Sequence, residues 1–168
     1  MWMVPGFPLD FATVAATFAS PVVRARLDWK AARALDLPVT LRFHRGDPPA
    51  SWITTWYIDA ASKPCHYDDP QAHPLTVADV VVRYRAGRPW DECLSVLATT
   101  MYYTAVFSQM VVLTWALPGA GTLIVDGNHR VCAAAVAQIP VVIVEVCLEG
   151  PCDPALLVDL THHQLPVG

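Results

Sequence analysis

A chain of 168 residues, 54% hydrophobic and only 15% charged, carries enough apolar side chains to offset the entropy of ordering one domain, which excludes a disordered or fibrous chain. The formal net charge is −4, so no bulk cationic field advertises nucleic acid, which is a disfavoured partner. The longest uncharged stretch, residues 94–125, is broken by Ser95, Thr99, Ser108, Gln109 and Pro118, and none of its apolar pieces reaches the ~18 residues a membrane helix needs.

The N-terminal residues lack Lys or Arg ahead of Arg24 and include Asp10, unlike a secretory leader. Five cysteines without a Cys-x-x-Cys pair suggest neither a disulfide framework nor a zinc ribbon. Reduced thiols, a cytoplasmic location and no membrane partner are therefore expected.

Residues 10–36 read as helical, with Asp10 as a cap and Pro21 dividing two helices. Val23, Leu27, Ala31 and Leu35 recur at fourfold spacing as a buried stripe, while Arg26, Lys30 and Arg33 fall on a solvated face. From Val39 to His44 the pattern alternates, with Val39, Leu41 and Phe43 on one side and Thr40, Arg42 and His44 on the other, as in a half-buried strand. Gly46-Asp47-Pro48-Pro49 turns the chain into a second strand, residues 52–58, rich in β-branched and aromatic side chains and ending at Asp59. Residues 60–74, with three prolines, read as a loop.

Thr76 and Asp79 have capping-box spacing ahead of Val77, Val80, Val81 and Tyr84, with Gly87 as a stop, so a helix follows. Pro89 opens another, residues 90–104. Residues 109–116 and 122–125 read as hairpin partners joined by Pro118-Gly119-Ala120-Gly121. An Ala-rich helix over 129–138 must end before Pro140, and residues 141–147 form the apolar run of a central strand covered on both faces. Trp52, Trp56 and Trp115 fall at strand positions, where core packing is expected.

The chemistry points to Asp126-Gly127-Asn128-His129-Arg130, where a strand becomes a helix. The first N–H groups of such a helix have no partners within it, point one way and are backed by the helix dipole, a ready anion site. Gly127 permits a positive φ or a close ligand, Asn128 is placed to cap the helix, and Arg130 offers a bidentate fork for phosphate oxygens. His129 is suited to donate to a phosphate or to move a proton near neutral pH. The spacing equally allows a structural Asp126–Arg130 ion pair, with Asn128 a simple cap and His129 a packing residue.

Residues 123–130, Leu-Ile-Val-Asp-Gly-Asn-His-Arg, the Ala-rich helix and then Ile139-Pro140-Val141-Val142-Ile143-Val144 resemble the ParB-like and sulfiredoxin-like superfamily. The resemblance is clearest over residues 111–146, and everything before Trp52 lies outside it. It implies a small mixed β-sheet with packed helices whose turn binds nucleotide phosphates, on a fold that hosts several activities. Sulfiredoxin chemistry needs cysteine where Asn128 stands, and Cys132 falls one helical turn too late. Partition proteins carry Glu-Arg-Arg at the turn and a following helix-turn-helix domain, for which about twenty residues after the last strand are too few. The free-serine-kinase-like members, with an Asp-Gly-His-His-Arg type of turn, match best and differ at Asn128.

The expected fold is therefore α+β: a ParB/sulfiredoxin-like core over residues 51–150, an N-terminal helical extension and first strand over 1–50, and a C-terminal tail over 151–168. The expected function is ATP-dependent phosphotransfer to a small-molecule acceptor, or hydrolysis of ATP or another nucleotide, with Mg2+ on the phosphates. Asp126, Gly127, Asn128, His129 and Arg130 hold the nucleotide, Asp126 serves as metal or ribose ligand, and Asp59 and His129 are the catalytic candidates. Two alternatives stay open. One is a metal-dependent DNA nuclease of toxin type using Arg26, Lys30, Arg33, Arg42 and Arg45; the other is a noncatalytic nucleotide-binding protein. Cys65, His66, Asp68, Asp69 and His73 crowd one loop with metal-ligand chemistry but no recognised spacing, and are read as a polar surface loop or a lid.

Overall fold

The computed structural model describes residues 2–18, 27–104 and 109–163, so Pro21, Val23 and Arg26 lie outside the described residues. The architecture is α+β, with one eight-stranded mixed sheet and helices packed on it. In chain order the elements are β1 (Trp2–Leu9), α1 (Phe11–Phe18), α2 (Trp29–Ala34), β2 (Val39–Gly46), β3 (Ile53–Ile58), β4 (Pro64–Cys65) and β5 (His73–Thr76). There follow α3 (Val77–Arg85), α4 (Glu92–Thr104), β6 (Gln109–Leu117), β7 (Gly121–Asp126), α5 (Asn128–Ala137) and β8 (Val141–Leu148). The strand order is β1-β2-β8-β6-β7-β3-β4, with β5 also paired to β3. Pairing is antiparallel except β6 with β8 and β3 with β7.

Local chemistry sets the helix starts. Asp10 accepts from Thr13 N at 3.0 Å, and Asp28 caps α2 through Ala31 N at 2.9 Å. The capping box of α3 is complete, with Asp79 N donating to Thr76 Oγ1 and Thr76 N donating to Asp79 Oδ2 at 2.9 Å. Strands appear where the sequence does not announce them. β1 contains Pro5, Gly6 and Pro8, residues that argue against a strand interior but are tolerated at a sheet edge, and its register shifts between Val4 and Phe7. The expected loop of residues 60–74 contains the short strand β4 and the start of β5, both paired with β3.

Alternation along β8 divides the interior in two. Val146 and Leu148 join the layer containing Phe11, Val14, Leu157 and Leu160, and Val141 and Ile143 join the layer containing Val80, Leu94 and Val131. The expected central strand is thus covered on both faces. Trp52, Trp56 and Trp115 are all buried. Beyond β8, Leu156, Leu157 and Leu160 are buried and Leu27 bridges to Leu157. Each such leucine contributes about 1.5–3 kcal/mol of transfer free energy, so the segment read as a tail is tied into the core. No helix among the described residues is long and apolar enough to cross a membrane.

One side chain in the apolar run of β8 is ionisable. Glu145 is 1% exposed, and its carboxylate meets His44 Nε2 at 2.6 Å, the Thr114 hydroxyl at 2.7 Å and Arg42 Nη1 at 4.0 Å. Burial alone pushes its pKa up, but the hydrogen bonds from His44 and Thr114 and the nearby cations outweigh it and hold the group below its ordinary value. The side of β2 expected to be solvated therefore ends in a buried His44.

Candidate functional site

β7 delivers the chain to Asp126, and Gly127 turns it with φ of +100° into the first turn of α5. That left-handed conformation disfavours any Cβ, and one added at Gly127 would also lie 3.3 Å from Val112 Cγ2 and 3.4 Å from Arg130 Nη2. Asn128, expected to cap the helix, does not. It is the first helical residue, and no side chain among the described residues caps this end.

Its amide instead pins α5 to the neighbouring strand. Asn128 Oδ1 accepts from Thr55 N at 3.2 Å, and Nδ2 donates to Thr55 Oγ1 at 3.1 Å and to Ile124 O at 3.3 Å. The uncapped first turn opens on a shallow hollow of about 200 Å3 lined by Thr55, Trp56 and residues 126–130. Such a volume is smaller than the roughly 300–1,000 Å3 of pockets that enclose a drug-sized ligand. It suits the phosphate end of a ligand better than the whole of a nucleotide.

The two charged residues of the turn meet each other. Arg130 Nη2 lies 3.1 Å from Asp126 Oδ2, one helical turn apart and partly exposed. The ion pair that the spacing allowed is therefore present, and the Arg130 guanidinium is aligned on the edge of the hollow. An incoming phosphate would compete with Asp126 for it.

His129 has a partner that sequence spacing does not reveal. Its Nε2 lies 2.8 Å from Asp91 Oδ2, and the two side chains are 39% and 38% exposed, so solvent and ligand can reach the pair. Asp91 itself is fixed, because its Oδ1 accepts from Leu94 N at 2.8 Å at the start of α4. An ionised carboxylate only accepts, so Nε2 carries a proton in this contact, and whenever the ring is neutral Nδ1 holds the lone pair. The imidazole stands edge-on to Trp56, with ring centroids 4.9 Å apart, and Trp56 stacks on Trp90 at 5.3 Å. This aromatic wall sets where the ring sits.

Asp59 is not among the residues lining the hollow. Its Oδ1 accepts from Lys63 N at 2.8 Å, and its backbone closes the same turn through Lys63 O and Ser62 N. The carboxylate brought to His129 is Asp91 instead. Its only signal in the sequence is its position after Pro89-Trp90, where a helix opens; the contact with a residue 38 positions away exists only in the folded chain.

The loop of possible ligands does not converge either. His66 pairs with Asp68 at 2.6 Å in the open, and Asp69 accepts from Gln71 N. Among the described residues no three His, Cys, Asp or Glu side chains gather to hold a metal. Cys132 is fully buried among the helices, and burial pushes its thiol well above the ordinary value, so it offers no nucleophile to the turn. Of the basic set, Arg42 is engaged by Glu149 at 3.0 Å and lies near Glu145, while Lys30, Arg33 and Arg45 are exposed on α2 and β2. No family model, no curated protein and no solved structure matches this chain.

Proposed function

We propose that the chain holds the phosphates of a nucleotide on the amides after Gly127 and transfers the terminal phosphoryl group to a small hydroxyl acceptor or to water. The observation that carries this reading is the 2.8 Å contact between Asp91 and His129 on the rim of a hollow that no side chain caps. An oriented imidazole beside an anion-binding turn supplies the two things phosphoryl transfer asks of a protein: positioning and a proton acceptor. The resemblance of residues 123–144 to the ParB-like and sulfiredoxin-like superfamily points the same way.

In this reading His129 Nδ1 takes the proton from the attacking hydroxyl as its oxygen bonds to phosphorus and the bond to the leaving phosphate oxygen breaks. Asp91 stabilises the imidazolium that forms, as a positioning residue acting through His129. Arg130 exchanges part of its contact with Asp126 for phosphate oxygens. Mg2+ supplies charge neutralisation when bound. Asp126, the carboxylate among the residues that line the hollow, would hold such an ion together with the phosphates.

Thermal unfolding with ATP, GTP, CTP and UTP, each with and without Mg2+, tests binding, since a ligand selective for the folded state raises its stability. Phosphorus NMR on the same samples tests turnover. The expected result is a raised Tm with at least one nucleotide and release of its terminal phosphate, lost in Asp91→Asn, which keeps the oxygen that caps α4. Because the Asp91–His129 pair is well exposed, its loss costs about 0–1 kcal/mol of stability, and the variant stays folded. No shift with any nucleotide contradicts the proposal. Binding without turnover returns the noncatalytic reading, and plasmid cleavage with Mg2+ the nuclease.

A further inference from the structure

A second hollow, of about 240 Å3, lies between the end of α3 and strands β3 and β5, and shares no residue with the hollow at the Gly127 turn. Its lining combines the apolar Ile58, Leu75 and Val82 with the basic side chains of His73, Arg83 and Arg88. The two arginines belong there on local grounds, because cations are favoured in and just past the last turn of a helix. Their side chains are less fully occupied than that role requires. Arg83 Nη1 donates to Ser62 O at 2.9 Å, which fixes the guanidinium, and its Nε has no hydrogen-bond partner among the described residues. Among the described residues Arg88 makes no ion pair.

Two negative features border the hollow, and both are engaged by donors within the chain. The carboxylate in the lining, Asp79, faces the N-terminus of α3, where Oδ2 accepts from Thr76 N and from Thr76 Oγ1. The last carbonyls of α3 are also satisfied: Val82 O, Arg83 O and Tyr84 O accept from Ala86 N, Arg88 N and Gly87 N. His73 Nδ1 makes only a long contact, 3.4 Å, to Gln71 O, leaving Nε2 without a partner among the described residues.

We propose that this hollow is a second anion site, separate from the Gly127 turn, and that it takes a small phosphate monoester with a short apolar body. Guanidinium planes match phosphate oxygens in pairs, and Arg83 is already held in place. The apolar lining of Ile58, Leu75 and Val82 receives the apolar body, and the volume restricts it to a few carbon atoms or one ring.

Isothermal titration with phenyl phosphate provides the test, using the full chain and the variants Arg83→Gln, Arg88→Gln and Lys30→Gln. Arg88→Gln removes an exposed charge that makes no ion pair among the described residues, so it reads the site with little effect on the fold. Binding in the millimolar range or tighter is expected, weakened about ten-fold or more in Arg83→Gln and Arg88→Gln, as loss of a hydrogen bond to a charged group predicts. Lys30→Gln, which removes an exposed cation of α2 that lines neither hollow, should bind as the unaltered chain does, and phenol should give no heat. Absence of binding, equal affinity in Arg88→Gln, weakening in Lys30→Gln, or phenol binding as well as phenyl phosphate overturns the proposal.

Discussion

Replacing His44 by Phe isolates the buried carboxylate on β8. Phenylalanine keeps an aromatic ring beside Trp52, whose centroid lies 5.1 Å from that of His44, and removes the 2.6 Å hydrogen bond to Glu145. Glu145 is then left, 1% exposed, with the Thr114 hydroxyl at 2.7 Å and Arg42 at 4.0 Å. Breaking a buried pair from one side costs about 3–5 kcal/mol, and the two surviving contacts place this case at the lower end. For a domain of this size that corresponds to a fall in Tm of roughly 6–12 °C at about 2–4 °C per kcal/mol.

Changing the carboxylate as well, in His44→Phe with Glu145→Leu, should recover much of the loss, because no charge is then stranded. The sign of the pH effect follows from the lowered pKa of Glu145. Its contribution is fully present above the ordinary 4.5 and is lost as pH falls through the lower folded value, so the gap between the unaltered chain and His44→Phe narrows on the acid side. Urea unfolding at pH 7 and below 4.5 measures both effects. A His44→Phe chain within about 1 kcal/mol of the original at pH 7 would refute the reasoning.

Three further outcomes are expected. Gly127→Ala forces a Cβ into the left-handed region beside Val112 and should lower stability by about 1–2 kcal/mol, read by thermal unfolding, with any nucleotide-dependent rise in Tm reduced. His163 is held below its ordinary 6.5 by burial, with His162 adding to the effect. Its folded state thus favours the neutral ring, so its contribution is complete above pH 6.5 and declines as pH falls; His163→Asn should flatten the change in Tm between pH 7.5 and pH 5.5. Alkylation followed by mass spectrometry should modify the exposed Cys93 first and spare Cys132 and Cys147 until the chain unfolds, since burial pushes the Cys147 thiol up to about 11 and that of Cys132 higher still.

Much of the fold was legible wherever a single local rule decided the outcome. Thr76 and Asp79 announce α3 by their spacing, Asp10 announces α1, and the alternating and continuous apolar runs locate β2 and β8. What stayed hidden depends on tertiary pairing. Pro5 and Pro8 disguise β1, whose edge position alone makes them tolerable, and β4 and β5 are too short to show a period until β3 pairs with them.

The candidate site divides in the same way. The glycine with positive φ and the strand-to-helix turn could be anticipated from the turn sequence, whereas the uncapped helix start could not, because Asn128 has the chemistry of a cap and spends it on Thr55 instead. Asp59 and Asp91 both stand at element boundaries and look alike in the sequence. Only the packing of α4 against α5 brings one of them to His129 and leaves the other closing its own turn.

The central claim is that phosphates sit on the amides that follow Gly127. Backbone amide NMR during titration with ATP and Mg2+ addresses it most directly. The account predicts that the largest, saturable shifts fall on Gly127, Asn128, His129 and Arg130, with a linked change in the side-chain signal of His129. Saturable shifts confined to other parts of the sheet, or none at all, would contradict it.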